Sequence, residues 1–213
     1  MNCAREAMRL YAVTDRQWLN GRALAEDAES ALKGGVTMLQ LREKELSEEA
    51  FLEEAFQIKA LCAKYRIPFI INDNVEVALA CDADGIHVGQ SDMDALHVRE
   101  KMGPDKIVGV SAQTVEQAVR AEESGADYLG VGAVFQTSTK GDADAVSADM
   151  LRAITGAVSI PVCAIGGIYE SNMLELSGTG IDGVALVSAI FAAKNIEGTC
   201  RDLRELSEAM VNA

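Results

Sequence analysis

The chain has 213 residues, 49% of them apolar and 24% charged, with 18 Gly and only 3 Pro. That length and balance suit one globular domain and exclude a disordered, collagen-like or disulfide-scaffold protein. With 19 basic against 33 acidic residues the net charge is −14, which repels duplex nucleic acid and anionic lipid, so neither is an expected partner.

Near the N-terminus, Leu10-Tyr11-Ala12-Val13 runs straight into Thr14-Asp15. No apolar run reaches about 18 residues, so neither a leader nor a membrane span is expected, and the cytoplasm is the expected location. The five cysteines, Cys3, Cys62, Cys81, Cys163 and Cys200, include no C-x-x-C pair and sit in apolar surroundings. They read as small buried hydrophobes of a reducing compartment.

Short apolar runs alternate with amphipathic stretches along the chain. Strands are expected at Leu10 to Thr14, Thr37 to Arg42, Phe69 to Asn72, Gly85 to Val88, Ile107 to Ser111, Tyr128 to Val131, Val162 to Ile165 and Gly183 to Val187. Between the first two, Leu24, Ala28, Ala31 and Leu32 share one helical face. Phe51, Ala55, Ile58 and Cys62 do the same after the second. Thr114-Val115-Glu116-Gln117 matches a capping box, and Gly34, Gly125 and Gly180 stand where a left-handed C-cap is needed. Ala83-Asp84-Gly85, Gly125-Ala126-Asp127 and Gly180-Ile181-Asp182 repeat the passage from helix to strand. Eight strands alternating with helices fit a closed (β/α)8 barrel or an open doubly wound sheet. The count of eight, and the lack of G-x-G-x-x-G after the first strand, favour a single-domain (β/α)8 TIM barrel spanning residues 1–213.

In such a barrel the chemistry belongs at the C-terminal ends of the strands. Along strand two, Gln40 and Arg42, with Lys44 beyond, alternate with Leu39 and Leu41. The leucines would pack on outer helices while Gln40 and Arg42 face the mouth, where water or a ligand must satisfy them. Strand three ends in Asn72-Asp73-Asn74 and strand four in Gly89-Gln90-Ser91-Asp92. Asp73 and Asp92 occupy equivalent places in neighbouring units and could share one Mg²⁺, although Asp73, Asn74 and Asp92 are also good helix caps. After strand six, the hydroxyl-rich loop from Phe135 to Asp142, with Lys140, could hold a phosphate. Gly166-Gly167 and Val187-Ser188 end strands seven and eight, the usual phosphate loops of this architecture. His87 faces the interior and reads as a satisfied core residue. His97 carries no signal, and Asp15 reads as a cap or turn residue.

Taken together, Gln40-Leu41-Arg42-Glu43-Lys44, Asn72-Asp73, the run Asp84 to Asp92, Thr137-Ser138-Thr139-Lys140 and Ala164-Ile165-Gly166-Gly167-Ile168 resemble the thiamine-phosphate synthase family, from Leu10 through Ile190. The resemblance implies a (β/α)8 barrel that joins a hydroxymethylpyrimidine diphosphate to a thiazole phosphate with Mg²⁺, releasing pyrophosphate. It implies that Gln40, Arg42, Lys44, Asn72, Ser111 and Lys140 hold the pyrimidine diphosphate, with Arg42, Lys44 and Lys140 catalytic, and that Asp73 and Asp92 ligate Mg²⁺. Thr137, Thr139, Gly167, Val187 and Ser188 would place the thiazole phosphate. Leu41, Glu43 and Ser138 count as substrate-binding through the motifs they sit in. Small-molecule substrates are the expected partners, and self-association is compatible with the sequence.

Two positions depart from the family pattern. Gln113 stands where many relatives have His, and Ala133 where Pro is common. The sister thiazole tautomerase would need a histidine at position 113 for proton transfer, and this chain lacks it. A non-catalytic binder of phosphorylated thiazole would not need the diphosphate and metal positions, which this chain keeps.

Overall fold

The computed structural model describes residues 3–90, 95–136 and 145–213. Its eight parallel strands are β1 (Leu10–Val13), β2 (Met38–Leu41), β3 (Phe69–Asn72), β4 (Gly85–Val88), β5 (Ile107–Ala112), β6 (Tyr128–Gly132), β7 (Val162–Ile165) and β8 (Gly183–Leu186). They close in sequence order, with β8 pairing β1 through Leu10↔Val184, Tyr11↔Ala185 and Ala12↔Leu186. This is the expected (β/α)8 barrel, with every expected strand in place. The open-sheet alternative fails because β1 and β8 are hydrogen-bonded neighbours.

Alternation along each strand sorts the side chains into two layers. Leu39, Leu41, Ile71, Ile86 and Val110 point outward into the core beneath the helices. Tyr11, Met38, Ile70, Ile107, Tyr128 and Cys163 fill the barrel itself. The surrounding helices are α1 (Leu24–Lys33), α2 (Glu48–Tyr65), α3 (Val75–Ala80), α4 (Ala95–Met102), α5 (Val115–Glu123), α6 (Ala148–Ala157), α7 (Ser188–Phe191) and α8 (Ile196–Val211). A 3-10 turn, Met173–Leu176, takes the place of a helix between β7 and β8. Helix α2 shows why these elements hold. Ser47 caps its first turn by accepting from the Ala50 N–H, and Phe51, Ala55, Ile58 and Cys62 form its buried stripe. Full burial of Phe51 or Ile58 is worth about 1.5–3 kcal/mol each.

Two local expectations need correction. Gly125 and Gly180 are left-handed as expected, but Gly34 has φ −76° and the left-handed turn falls on Gly35. Gly34 is small for a different reason: a Cβ there would lie 2.5 Å from Cys200 Cβ and from the Glu197 carbonyl oxygen, at the α1–α8 contact. The capping box is also displaced. Thr114 accepts from Gln117 N–H as expected, but Gln117 Oε1 accepts from Gln113 N–H at 2.8 Å, one residue before the cap. All five cysteines are free and buried, and no helix among the described residues is long and apolar enough to cross a membrane.

Candidate active site

The C-terminal ends of the strands carry most of the polar residues that face the barrel axis. Strand β2 delivers Gln40 inside the barrel, followed by Arg42 and Lys44 on the rim. Arg42 is fixed from the end of β1: its N–H donates to Thr14 Oγ1 at 3.0 Å and its guanidinium meets Asp15 Oδ2 at 3.3 Å. Asp15 also caps the following 3-10 turn by accepting from Gln17 N–H. The cap expected from sequence is therefore present, and it doubles as the arginine's anchor.

At the end of β3, Asn74 caps α3 through the Val77 N–H, which leaves Asp73 outside the capping role. Asp73 adopts φ +61°, a left-handed conformation that Asp and Asn tolerate better than most residues. Its carboxylate receives the Lys44 ammonium at 2.6 Å and the Asn72 amide at 3.0 Å. Lys44, Asn72 and Asp73 thus form one polar group on the rim. Asp92, the second expected metal ligand, lies outside the described residues, as do Thr137, Ser138, Thr139 and Lys140. Among the described residues, no group of three or more His, Cys, Asp or Glu side chains could hold a metal. The carboxylate of Asp73 is a hard oxygen donor suited to Mg²⁺, which uses one or two protein carboxylates.

Gln40 departs from its expected setting. It is buried and partnered by protein, donating from Nε2 to the Tyr11 hydroxyl at 2.6 Å. His87 is satisfied in the interior, as expected, by the Tyr128 hydroxyl and Ser111 Oγ, each at 3.0 Å. Leu41 points outward and is fully buried beneath the helices, so only its backbone is left to meet a substrate. Glu43 also turns away from the mouth, to Arg16, which Glu54 shares.

On the opposite rim, Gly166 and Gly167 have φ +97° and +69°. A Cβ on Gly167 would lie 2.6 Å from the Gln136 carbonyl oxygen, so this loop packs tightly against the one after β6. Val187 precedes Ser188, whose hydroxyl bonds the Tyr169 hydroxyl at 2.9 Å. Sequence reading missed Tyr169. Its only local signal is an aromatic residue placed just after a Gly-Gly pair.

Residues 10–190 match the family model described as thiamine monophosphate synthase. The chain is 51% identical to the thiamine-phosphate synthase of Clostridium acetobutylicum over 193 residues, covering 91% of this chain and 92% of that protein. It is likewise 51% identical to that of Ruminiclostridium cellulolyticum, covering 92% and 94%. The solved structure of thiamine phosphate pyrophosphorylase from Pyrococcus furiosus superposes with a TM-score of 0.89 at 38% identity, covering 97% of this chain and 98% of that one. The chain belongs to the thiamine monophosphate synthase family. As a member of that family it is an enzyme of thiamine phosphate synthesis, a transferase.

Gln113 Nε2 donates to the Gly132 carbonyl at 3.1 Å and ties the loops after β5 and β6 together. Its amide has no titratable proton, so it does not replace a histidine as an acid or base.

The Glu43 cluster gives a pH-dependent prediction. Burial raises the Glu43 carboxyl to about 7; Arg16 opposes the rise and Glu54 adds to it, because one guanidinium serves two carboxylates. The folded state therefore binds more protons than the unfolded state between about 4.5 and about 7, and stability from this group falls as pH rises through that window. Glu43→Gln should match the parent in urea midpoint at pH 5 and exceed it at pH 8. Equal differences at both pH values would contradict the assignment.

Proposed function

We propose that the enzyme condenses 4-amino-2-methyl-5-(diphosphooxymethyl)pyrimidine with a thiazole phosphate, giving thiamine phosphate and pyrophosphate. The observation that carries this reading is the joining of Lys44, Asn72 and Asp73 at the end of β3, with Arg42 anchored by Asp15 beyond the end of β2 and Gln40 buried within the same strand. Breaking the methylene–oxygen bond places negative charge on the departing diphosphate and positive charge on the pyrimidine methylene. That step calls for fixed cations at the leaving group and a pocket that limits water, more than for a general base. Arg42 and Lys44 supply the cations, joined by Lys140 from the loop after β6. Gln40 and Ser111 orient the pyrimidine, and the thiazole nitrogen attacks with its own lone pair, so no proton leaves it. Asp73 and Asp92 would hold Mg²⁺, which when bound neutralises charge on the diphosphate.

Gly167, Val187 and Ser188 would hold the thiazole phosphate, together with Thr137 and Thr139. That phosphate is unchanged in the reaction and serves binding alone. Ser188→Ala should therefore raise the apparent KM for the thiazole phosphate about tenfold and leave kcat nearly unchanged. An effect confined to the KM of the pyrimidine diphosphate would reverse the two subsites.

Incubating the purified chain with both substrates and Mg²⁺ tests the reading as a whole. Thiamine phosphate should form only when both substrates are present, and formation should stop with excess EDTA. Product from the thiazole phosphate alone, or none from the full mixture, would overturn it.

A further inference from the structure

Beyond the end of β2, three successive residues are each held by a charge of opposite sign. Arg42 meets Asp15, Glu43 meets Arg16 and Lys44 meets Asp73. The outer two are open to solvent, with the Arg42 and Lys44 side chains 27% and 51% exposed, whereas the Glu43 side chain is 2% exposed. Arg16 stands in the 3-10 turn Arg16–Trp18 after β1. Its Nε donates to both Glu43 carboxylate oxygens, at 3.1 and 3.2 Å, and its Nη2 to both oxygens of Glu54, at 2.6 and 2.7 Å. Among the described residues no other side chain donates to Glu43. One guanidinium therefore lies between two carboxylates and joins the turn after β1, the segment after β2 and helix α2. The charged groups set against Glu43 are Arg16 from that turn and Glu54 from α2. Its chain neighbours Arg42 and Lys44 are turned to Asp15 and Asp73.

Arg42 and Lys44 can each turn from a carboxylate to a diphosphate when one arrives. Glu43 faces away from the mouth, so its bond to Arg16 is not exchanged for substrate. It can hold the backbone between the two cations in one place through every step, as preorganised charge requires.

We propose that Arg16 is a positioning residue: by balancing the charges of Glu43 and Glu54 it clamps the segment that carries Arg42 and Lys44 to the leaving group. The proposal rests on the reading of Arg42 and Lys44 given above and adds the residues that hold them. Without the guanidinium, two carboxylates share a shielded space. While one of them carries a proton it can donate to the other, and the clamp stays closed. Once both ionise they repel, and Glu43 must move toward water and take its chain neighbours with it. Burial raises Glu43 to about 7 with Arg16 opposing the rise, so loss of Arg16 places this change above pH 7.

The test compares kcat of the parent and Arg16→Gln from pH 6 to pH 9, at saturating substrates and Mg²⁺. Circular dichroism at each pH confines the comparison to folded protein. The ratio of parent to variant should stay within about threefold at pH 6. It should reach on the order of 10² at pH 9, the effect of moving a reacting group by about 1 Å. The KM for the thiazole phosphate should not change. Glu54→Gln alone should resemble the parent, and Glu54→Gln added to Arg16→Gln should recover at least about tenfold at pH 9. A ratio independent of pH, as a merely structural role would give, or no recovery in the double variant, would overturn the proposal. If Arg16→Gln unfolds at the upper end of the range, the double variant is read there instead. A folded protein with kcat within about tenfold of the parent supports the clamp, and a loss on the order of 10² overturns it. Failure of the functional reading looks different: the parent itself would form no thiamine phosphate at any pH. Calorimetric affinity for pyrophosphate with Mg²⁺ then carries the comparison. The same pH pattern is expected across the same variants, and a pH-independent ratio would again overturn the clamp.

Discussion

Replacing Arg42 with alanine is expected to lower kcat about 10²–10³-fold, the usual effect of losing one preorganised charge-stabilising donor. The guanidinium is held from two sides before any substrate arrives, its backbone by Thr14 and its side chain by Asp15. It therefore needs little reorganisation when charge develops on the leaving diphosphate. The folded state depends on it far less. A partly exposed ion pair at 3.3 Å is worth no more than about 1 kcal/mol, so the melting temperature should fall by only a few degrees. Arg42→Lys keeps the charge but loses the planar fork that can bind phosphate and Asp15 together, so recovery should be partial. Asp15→Asn should lie between the parent and Arg42→Ala, because it loosens the guanidinium without removing it. A kcat for Arg42→Ala within about threefold of the parent at saturating substrates would remove Arg42 from the leaving-group site.

The second large effect concerns Asp73. Its positive φ makes alanine a poor probe, since an ordinary side chain in the left-handed region costs about 1–2 kcal/mol before any ligand is considered. Asparagine tolerates that backbone and removes the charge, so Asp73→Asn isolates the carboxylate. At low Mg²⁺ its activity should fall by on the order of 10². If Asp73 and Asp92 share the ion as proposed, activity should partly return at high Mg²⁺, because one carboxylate and the diphosphate would remain to bind it. Asp73 also receives Lys44 at 2.6 Å, which gives a competing account in which the carboxylate only positions the lysine. In that case added Mg²⁺ would restore nothing, and Lys44→Met would abolish the effect of the second substitution. Parent-like activity at low Mg²⁺ would reject both accounts.

What could be read from the sequence divides along a physical line. Strand and helix positions follow from local periodicity, so all eight strands were legible and so was the sorting of Leu39 and Leu41 away from Gln40. Residues at strand ends were legible because the architecture places function there. The partner of Gln40 was not, because Tyr11 comes beside it only once β1 and β2 pair, and Tyr11 in turn meets Tyr128, 117 residues away, only across the closed barrel. The side-chain partners of Glu43 were hidden for a related reason. It sits within a site motif, yet beyond the end of β2 its carboxylate turns to Arg16, which Glu54 of α2 shares. Asp15 was read correctly as a cap, but its second task required knowing that β1 and β2 are neighbours. Gly34 shows the same limit. Its small size answers to α8, far along the chain, and not to its own helix end.

On the proposed reading this barrel joins two substrates by expelling pyrophosphate from a carbon atom. Phosphorus-31 spectra of the purified chain with the pyrimidine diphosphate, the thiazole phosphate and Mg²⁺ test it directly. One pyrophosphate should appear for each thiamine phosphate formed, with the thiazole phosphate group carried unchanged into the product. Conversion of the thiazole phosphate without pyrophosphate release, or pyrophosphate without thiamine phosphate, would contradict the account.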